Sequence, residues 1–184
     1  MNMPICITTW PSVREPRGRL IRSTREEFAR RARGPRITGV QKHALPRWAP
    51  ARFVDNYRRL ANVIDLGAIV ADIDADTRPE QIAAGLRRFA GFAHITSTPG
   101  HWRIVIWPSR VILACEYPRV WRALAITAER EGLAFDYSAS DASRAWAVDM
   151  QRRAFITLLG AATAAEPLVP RRHCRSCGEG PVQW

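Results

Sequence analysis

The chain has 184 residues, of which 47% are hydrophobic and 24% charged, with a net charge of +11. That length suits one domain with a proper core, and that balance is ordinary for a globule rather than for a disordered chain. No apolar run is long enough to span a bilayer, no basic segment followed by an apolar one opens the chain, and the four cysteines (Cys6, Cys115, Cys174, Cys177) are scattered, so the expectation is a reducing, cytoplasmic setting with no membrane.

The charge is unevenly placed. Residues 1–60 hold 14 Lys and Arg against 4 Asp and Glu, residues 61–150 hold 9 against 11, and residues 151–184 hold 5 against 2. A basic arm beside an acidic centre suits an enzyme of nucleic acids, in which one part holds phosphates and the other a metal. A single lysine, Lys42, stands among the arginines. A GC-rich coding bias explains that preference but not the asymmetry.

In chain order, residues 4–9 read as a short strand. Ser23-Thr24-Arg25-Glu26-Glu27 supplies a capping box for a helix to about Arg33. Residues 34–50, with three prolines, read as an extended basic loop carrying Lys42 and Arg47, and residues 52–62 as a short helix. The run Ala68-Ile69-Val70-Ala71-Asp72-Ile73-Asp74 reads as a buried strand within 67–74. Thr77-Arg78-Pro79-Glu80 then opens a helix to about Ala90. Residues 92–97 and 101–107 form a hairpin around Pro99-Gly100. A helix at about 116–131 follows, with Tyr117, Val120, Trp121, Leu124 and Ala128 on one face and Gly132 as its stop. Residues 133–136 and 144–149 read as short strands, 151–162 as a last helix, and the Pro/Arg-rich segment 166–184 as a flexible tail. The expected architecture is α+β: a mixed or antiparallel sheet with flanking helices and a split β-α-β core. Residues 1–165 form one domain, with a basic part at 1–60 and the motif-bearing core at 61–150.

Asp72 and Asp74 lie two apart on a strand and share a face. Two such carboxylates repel unless a cation neutralises them, and hard oxygen ligands suit Mg²⁺ or Mn²⁺. The same residues also fit a strand that merely stops at a polar loop. His101 and Arg103 share a face of the second hairpin strand, where an imidazole and a guanidinium suit a triphosphate, or form a solvated strand face. Asp136 ends the apolar run Leu133-Ala134-Phe135, and a third carboxylate is what a two-metal site needs beyond a pair. Asp141 can take that place or cap its loop, and Arg144 can reach a phosphate or pair with Asp141. Trp48, beside Arg47 and Arg52, can stack a base or join the core; His94, inside an apolar strand, reads as a core histidine. His173, Cys174 and Cys177 supply three local ligands where a zinc site needs four.

Taken in order, these motifs resemble the archaeo-eukaryotic primase superfamily in its bacterial plasmid and phage primase–polymerase branch. The likeness rests on Asp72-Ile73-Asp74, on Ser97-Thr98-Pro99-Gly100-His101-Trp102-Arg103, and on Phe135-Asp136, and covers roughly residues 5–150. It implies a primase-like catalytic core and two-metal-ion primer synthesis on single-stranded DNA from ribo- or deoxynucleoside triphosphates. Asp72, Asp74 and Asp136 would hold two Mg²⁺ or Mn²⁺ ions. Ser97, His101, Arg103 and Arg144 would bind the nucleotide, and Arg30, Arg31, Arg33, Lys42 and Arg47 the template. A replicative helicase would act in trans. The chain departs from the family pattern where Pro99 stands at the usual histidine position, so that histidine is absent or is replaced by His101. The alternative is a non-catalytic or degenerate DNA-binding replication module. A relaxase would need a His-hydrophobic-His pair, which the chain lacks.

Overall fold

The computed structural model describes residues 4–33, 43–96, 98, 100–148 and 155–159. In chain order these form β1 (Pro4–Trp10), β2 (Arg19–Thr24), α1 (Arg25–Ala32), β3 (Arg47–Ala49), β4 (Ala51–Phe53), β5 (Val63–Leu66), β6 (Ile69–Ile73), α2 (Pro79–Gly85), β7 (Ala90–Ile95), β8 (Trp102–Ile106), β9 (Ile112–Leu113), α3 (Tyr117–Arg130), β10 (Trp146–Ala147) and β11 (Phe155–Leu159). Short 3-10 turns lie at Val54–Asn56, Leu60–Asn62 and Tyr137–Ser140.

The strands form three sheets ordered β10-β3-β1-β2, β11-β7-β8-β6 and β4-β5-β9. Every ladder among the described residues is antiparallel. β8 lies between β6 and β7 and is antiparallel to both, so β6 and β7 run parallel to each other through the α2 crossover. This is the split β-α-β unit expected from the order of elements. One continuous apolar cluster joins the sheets and helices, with Trp10, Trp102, Trp121 and Phe92 almost wholly buried.

Local chemistry explains the well-formed elements. Thr24 caps α1 by accepting from the Glu27 amide at 3.1 Å, and the Ser23 hydroxyl donates to the Glu27 carboxylate at 2.9 Å. α3 ends as Gly132 turns left-handed at φ 82°. The Gly132 amide donates to Glu129 and the Leu133 amide to Ala128, which satisfies the last carbonyls. Indole N–H groups of Trp102 and Trp121 donate to the carbonyls of Thr77 at 2.7 Å and Val70 at 3.2 Å, tying the approach to α2 to β8 and α3 to β6.

Several expectations are corrected. Residues 52–62 are not a helix: Asp55 and Asn56 take left-handed φ values of 50° and 54°, which no right-handed helix tolerates, and strands flank them. The strand expected at 67–74 is β6 over Ile69–Ile73, and a separate strand, β5, precedes it in another sheet. The cap of α2 falls on Arg78, whose amide donates to Gln81 Oε1 at 3.0 Å, while the Thr77 hydroxyl donates to Ala75. α2 itself stops at Gly85 rather than near Ala90. Residues 133–136 make no ladder. Of the helix expected at 151–162, the described part 155–159 is strand β11 on β7, where a sheet edge overrides helical patterning. β2, β3, β4, β5 and β9 had no expected counterpart. The tail from 166 lies outside the described residues.

Gly91 sits where β7 presses on β8. A Cβ there would lie 2.0 Å from the Val105 carbonyl oxygen. Gly91→Ala therefore forces the two central strands apart, and urea denaturation should show a loss of about 1–3 kcal/mol or more.

Candidate active site

The site is built on the β6–β8 ladder. Asp72 pairs directly with Arg103, and Ile73 with Trp102. Because side chains alternate along a strand, Asp74 and His101, one pleat further on, emerge on the same face. The inner pair is buried, with Asp72 7% and Arg103 6% exposed. Arg103 Nε donates to Asp72 Oδ1 at 3.0 Å, and Nη2 reaches Oδ2 at 3.5 Å. Nη1 donates to the Ala147 carbonyl of β10 at 3.3 Å, so this one guanidinium ties two sheets together. The outer pair is open to solvent: His101 Nδ1 lies 3.2 Å from Asp74 Oδ1, and the Asp74 side chain is 61% exposed.

Asp136 joins the pair through its backbone. Its amide donates to the Asp72 carbonyl at 2.8 Å, which covers the free edge of β6. Its carboxylate accepts from the Ser138 amide at 2.8 Å and from the Ser138 hydroxyl. Arg144 closes the group. Its Nη1 donates to Ser138 Oγ at 2.9 Å, and its Nη2 lies 3.9 Å from Asp72 Oδ2. The guanidinium carbons of Arg103 and Arg144 each lie 4.7 Å from the Trp146 ring centroid, so both cations stack on one buried indole.

Burial pushes the Asp72 carboxyl above the ordinary carboxylate range, although Arg103 and then Arg144 pull it down. Asp136 moves the other way. Partial burial would raise it, but the Ser138 hydroxyl and amide, aided by Arg144, hold it below the ordinary value.

Two acids are candidates for the third position. Asp136 is hydrogen-bonded to Asp72 through the backbones of both. Asp141 caps its own loop, accepting from the Ser143 amide at 2.8 Å and the Ser143 hydroxyl at 2.9 Å. Arg103 does not project into a groove beside His101, as its spacing led one to expect; it is spent inside on Asp72. Trp48 does not offer a stacking face either: it is buried against Phe28 at 4.8 Å. His94 is a buried core residue whose Nδ1 donates to Ile95 at 3.1 Å. Of the residues expected on the template side, Arg31 pairs with Glu27 at 2.6 Å, Arg33 donates to Thr157 Oγ1 at 2.6 Å, and Arg47 buries its Nε. Arg30 is exposed. Ser97, Lys42, Cys174 and Cys177 lie outside the described residues. Sequence reasoning misses Ser138 and Trp146. Asp-x-Ser is a recognisable turn signal for the first, but nothing local marks Trp146 as a platform for two arginines.

As they stand, the carboxylates do not fit a divalent ion. Asp72 is occupied by Arg103, Asp74 faces His101, and Asp136 is held by Ser138. Among the described residues no three His, Cys, Asp or Glu side chains are gathered as a metal cage. The oxygen chemistry is that of a Mg²⁺ or Mn²⁺ site, but the cation at its centre is a guanidinium. Nor, among the described residues, is any helix long and apolar enough to cross a membrane.

No family model and no curated protein matches the sequence. Among solved structures, the chain is similar to the AEP domain of the primase-polymerase of cyanophage S-2L, with a TM-score of 0.48 and 12% identity over 87% of this chain and 83% of that one.

The two pairs should respond very differently to truncation. Arg103→Ala leaves a buried carboxylate without its partner and should cost about 3–5 kcal/mol in urea denaturation, whereas Arg103→Met combined with Asp72→Leu should recover most of it. His101→Ala, at an exposed pair, should cost less than about 1 kcal/mol.

Proposed function

We propose that this chain is a nucleotidyltransferase of the primase–polymerase type, adding nucleotides to a primer on a single-stranded DNA template. The observation that supports this reading is convergence. Asp72 and Asp74, His101 and Arg103, and Asp136 come from three sequence motifs far apart in the chain, and they meet at one end of the β6–β8 ladder. A motif set that met only by chance along the sequence would have no reason to share one sheet end.

Within that reading the residues divide by exposure. Asp74 and Asp136 are the acids that solvent and substrate can reach. His101 and Arg144, both partly exposed, contact the nucleotide phosphates, as forked or directional donors do. Arg103 acts through Asp72 and Trp146 and is a positioning residue. Ser97 completes the nucleotide side, and Arg30, Arg31, Arg33, Lys42 and Arg47 the template side. A helicase would act in trans. Mg²⁺ or Mn²⁺ would be the cofactor of this reading; Asp74 and Asp136, with Asp72 if Arg103 were displaced, would hold it, and it would neutralise the triphosphate.

The buried Asp72–Arg103 pair specifically favours a second reading, a non-catalytic DNA-binding replication module that keeps the fold and fills the acidic centre with its own cation. Incorporation of labelled nucleotides on a primed single-stranded template, with Mn²⁺ or Mg²⁺, separates the two. The transferase reading expects metal-dependent extension that falls by at least roughly 10²-fold in Asp74→Asn and in Asp136→Asn, with melting temperatures unchanged. No extension with either metal, alongside intact oligonucleotide binding, would select the module.

A further inference from the structure

We propose that a nucleic-acid strand docks by its phosphates on an arginine cluster at the loop end of the β1–β2 hairpin, formed by Arg14, Arg17, Arg19, Arg58 and Arg59 around Tyr57. The proposal rests on the nucleic-acid half of the reading above and not on its catalytic half.

The cluster is assembled by backbone pairing between two distant segments. The Arg58 amide donates to the Pro16 carbonyl at 2.9 Å, the Gly18 amide to the Asn56 carbonyl at 2.9 Å, and Arg17 and Tyr57 form an isolated antiparallel bridge. Asp55 and Asn56, both left-handed, turn the chain so that residues 57–59 run back along the hairpin loop. Two consecutive non-glycine residues in that region are uncommon, and such backbone persists where the surroundings hold it.

The side chains are then pre-set. Arg58 Nη2 donates to the Val13 carbonyl at 2.7 Å with its guanidinium 5.5 Å from the Trp10 ring, and Arg59 lies 5.2 Å from the Tyr57 ring. Arg14, Arg17, Arg19 and Arg59 are exposed. Four arginines elsewhere have close carboxylate partners: Arg31 with Glu27, Arg52 with Asp65, Arg103 with Asp72, Arg110 with Glu116. None of the five in this cluster has a carboxylate partner among the described residues. Glu15, the nearest acid in sequence, accepts instead from the Arg17 amide. Five arginines on two adjoining segments, against the two acids Glu15 and Asp55, leave a local excess of positive charge, which a polyanion neutralises while releasing its own counterions.

This is a different surface from α1, where Arg31 and Arg33 already have partners within the chain. The test is fluorescence anisotropy of an oligothymidylate against the full chain over a salt series, in EDTA and without nucleotide, so that the outcome does not depend on catalysis. The combined variant Arg14→Ala, Arg17→Ala, Arg59→Ala spares Arg58, which holds the loop. It should make the slope of log affinity against log salt shallower by about 2, at roughly 0.7 per lost phosphate contact. A control variant with the same charge loss at exposed sites elsewhere, Arg88→Ala, Arg119→Ala, Arg122→Ala, should leave the slope unchanged. An unchanged slope in the first variant, with its circular dichroism intact, overturns the proposal. So does a slope that falls instead with Arg30→Ala and Arg31→Ala, or binding to anionic vesicles as tight as to the oligonucleotide and lost in the same variant.

Discussion

A carboxylate and a guanidinium buried face to face set the constraint from which the rest of the site follows. Moving either charge out of water alone costs several kcal/mol, so neither Asp72 nor Arg103 can stay inside without the other. Their direct pairing across β6 and β8 makes the contact short, the Ala147 carbonyl takes a further N–H, and Trp146 supplies a polarisable wall. Because Ala147 belongs to the other four-stranded sheet, the ion pair also sets how the two sheets meet. The outer pair, Asp74 with His101, inherits its position from the inner one through the two-residue period of the strands.

The same pair decides what the acidic centre can do. A divalent ion and a guanidinium compete for one carboxylate, and the guanidinium is tethered. Asp74 and Asp136 stay accessible, and Asp136 is kept ionised by Ser138 and Arg144 while burial works against the charge on Asp72. The protein thus separates its acids into one that is structural in this arrangement and two that face solvent. Positive charge is divided too: Arg52 and Arg103 pair with buried carboxylates, whereas the arginines at the hairpin end have no carboxylate partner among the described residues.

Some of this was legible in the chain. The capping box at Ser23 to Glu27, the apolar face and glycine stop of α3, and the hairpin around Pro99-Gly100 depend on neighbours within a few residues, and all appear. The pairing of Asp72 with Asp74 on one face is likewise a local consequence of strand geometry. Residues 52–62 and 151–162 misled because short, mixed segments have no decisive period. Asp55 and Asn56 turn left-handed in the connection between β4 and β5 of one sheet, and Phe155–Leu159 becomes a strand because β7 presents an edge.

By itself, the sequence determined the residue types available for chemistry, the strand and helix segments with strong local signals, and the imbalance of charge along the chain. Those are properties of composition and of contacts within one or two turns. Only the tertiary structure decided that the backbone of Asp136 pairs with that of Asp72, that Arg103 turns inward while Arg144 stays at the rim, and that the segment of residues 14–19 meets residues 57–59. Each of these depends on strand register and on the meeting of segments about 30 to 70 residues apart, and loop-closing contacts at that range leave no periodic trace in the sequence.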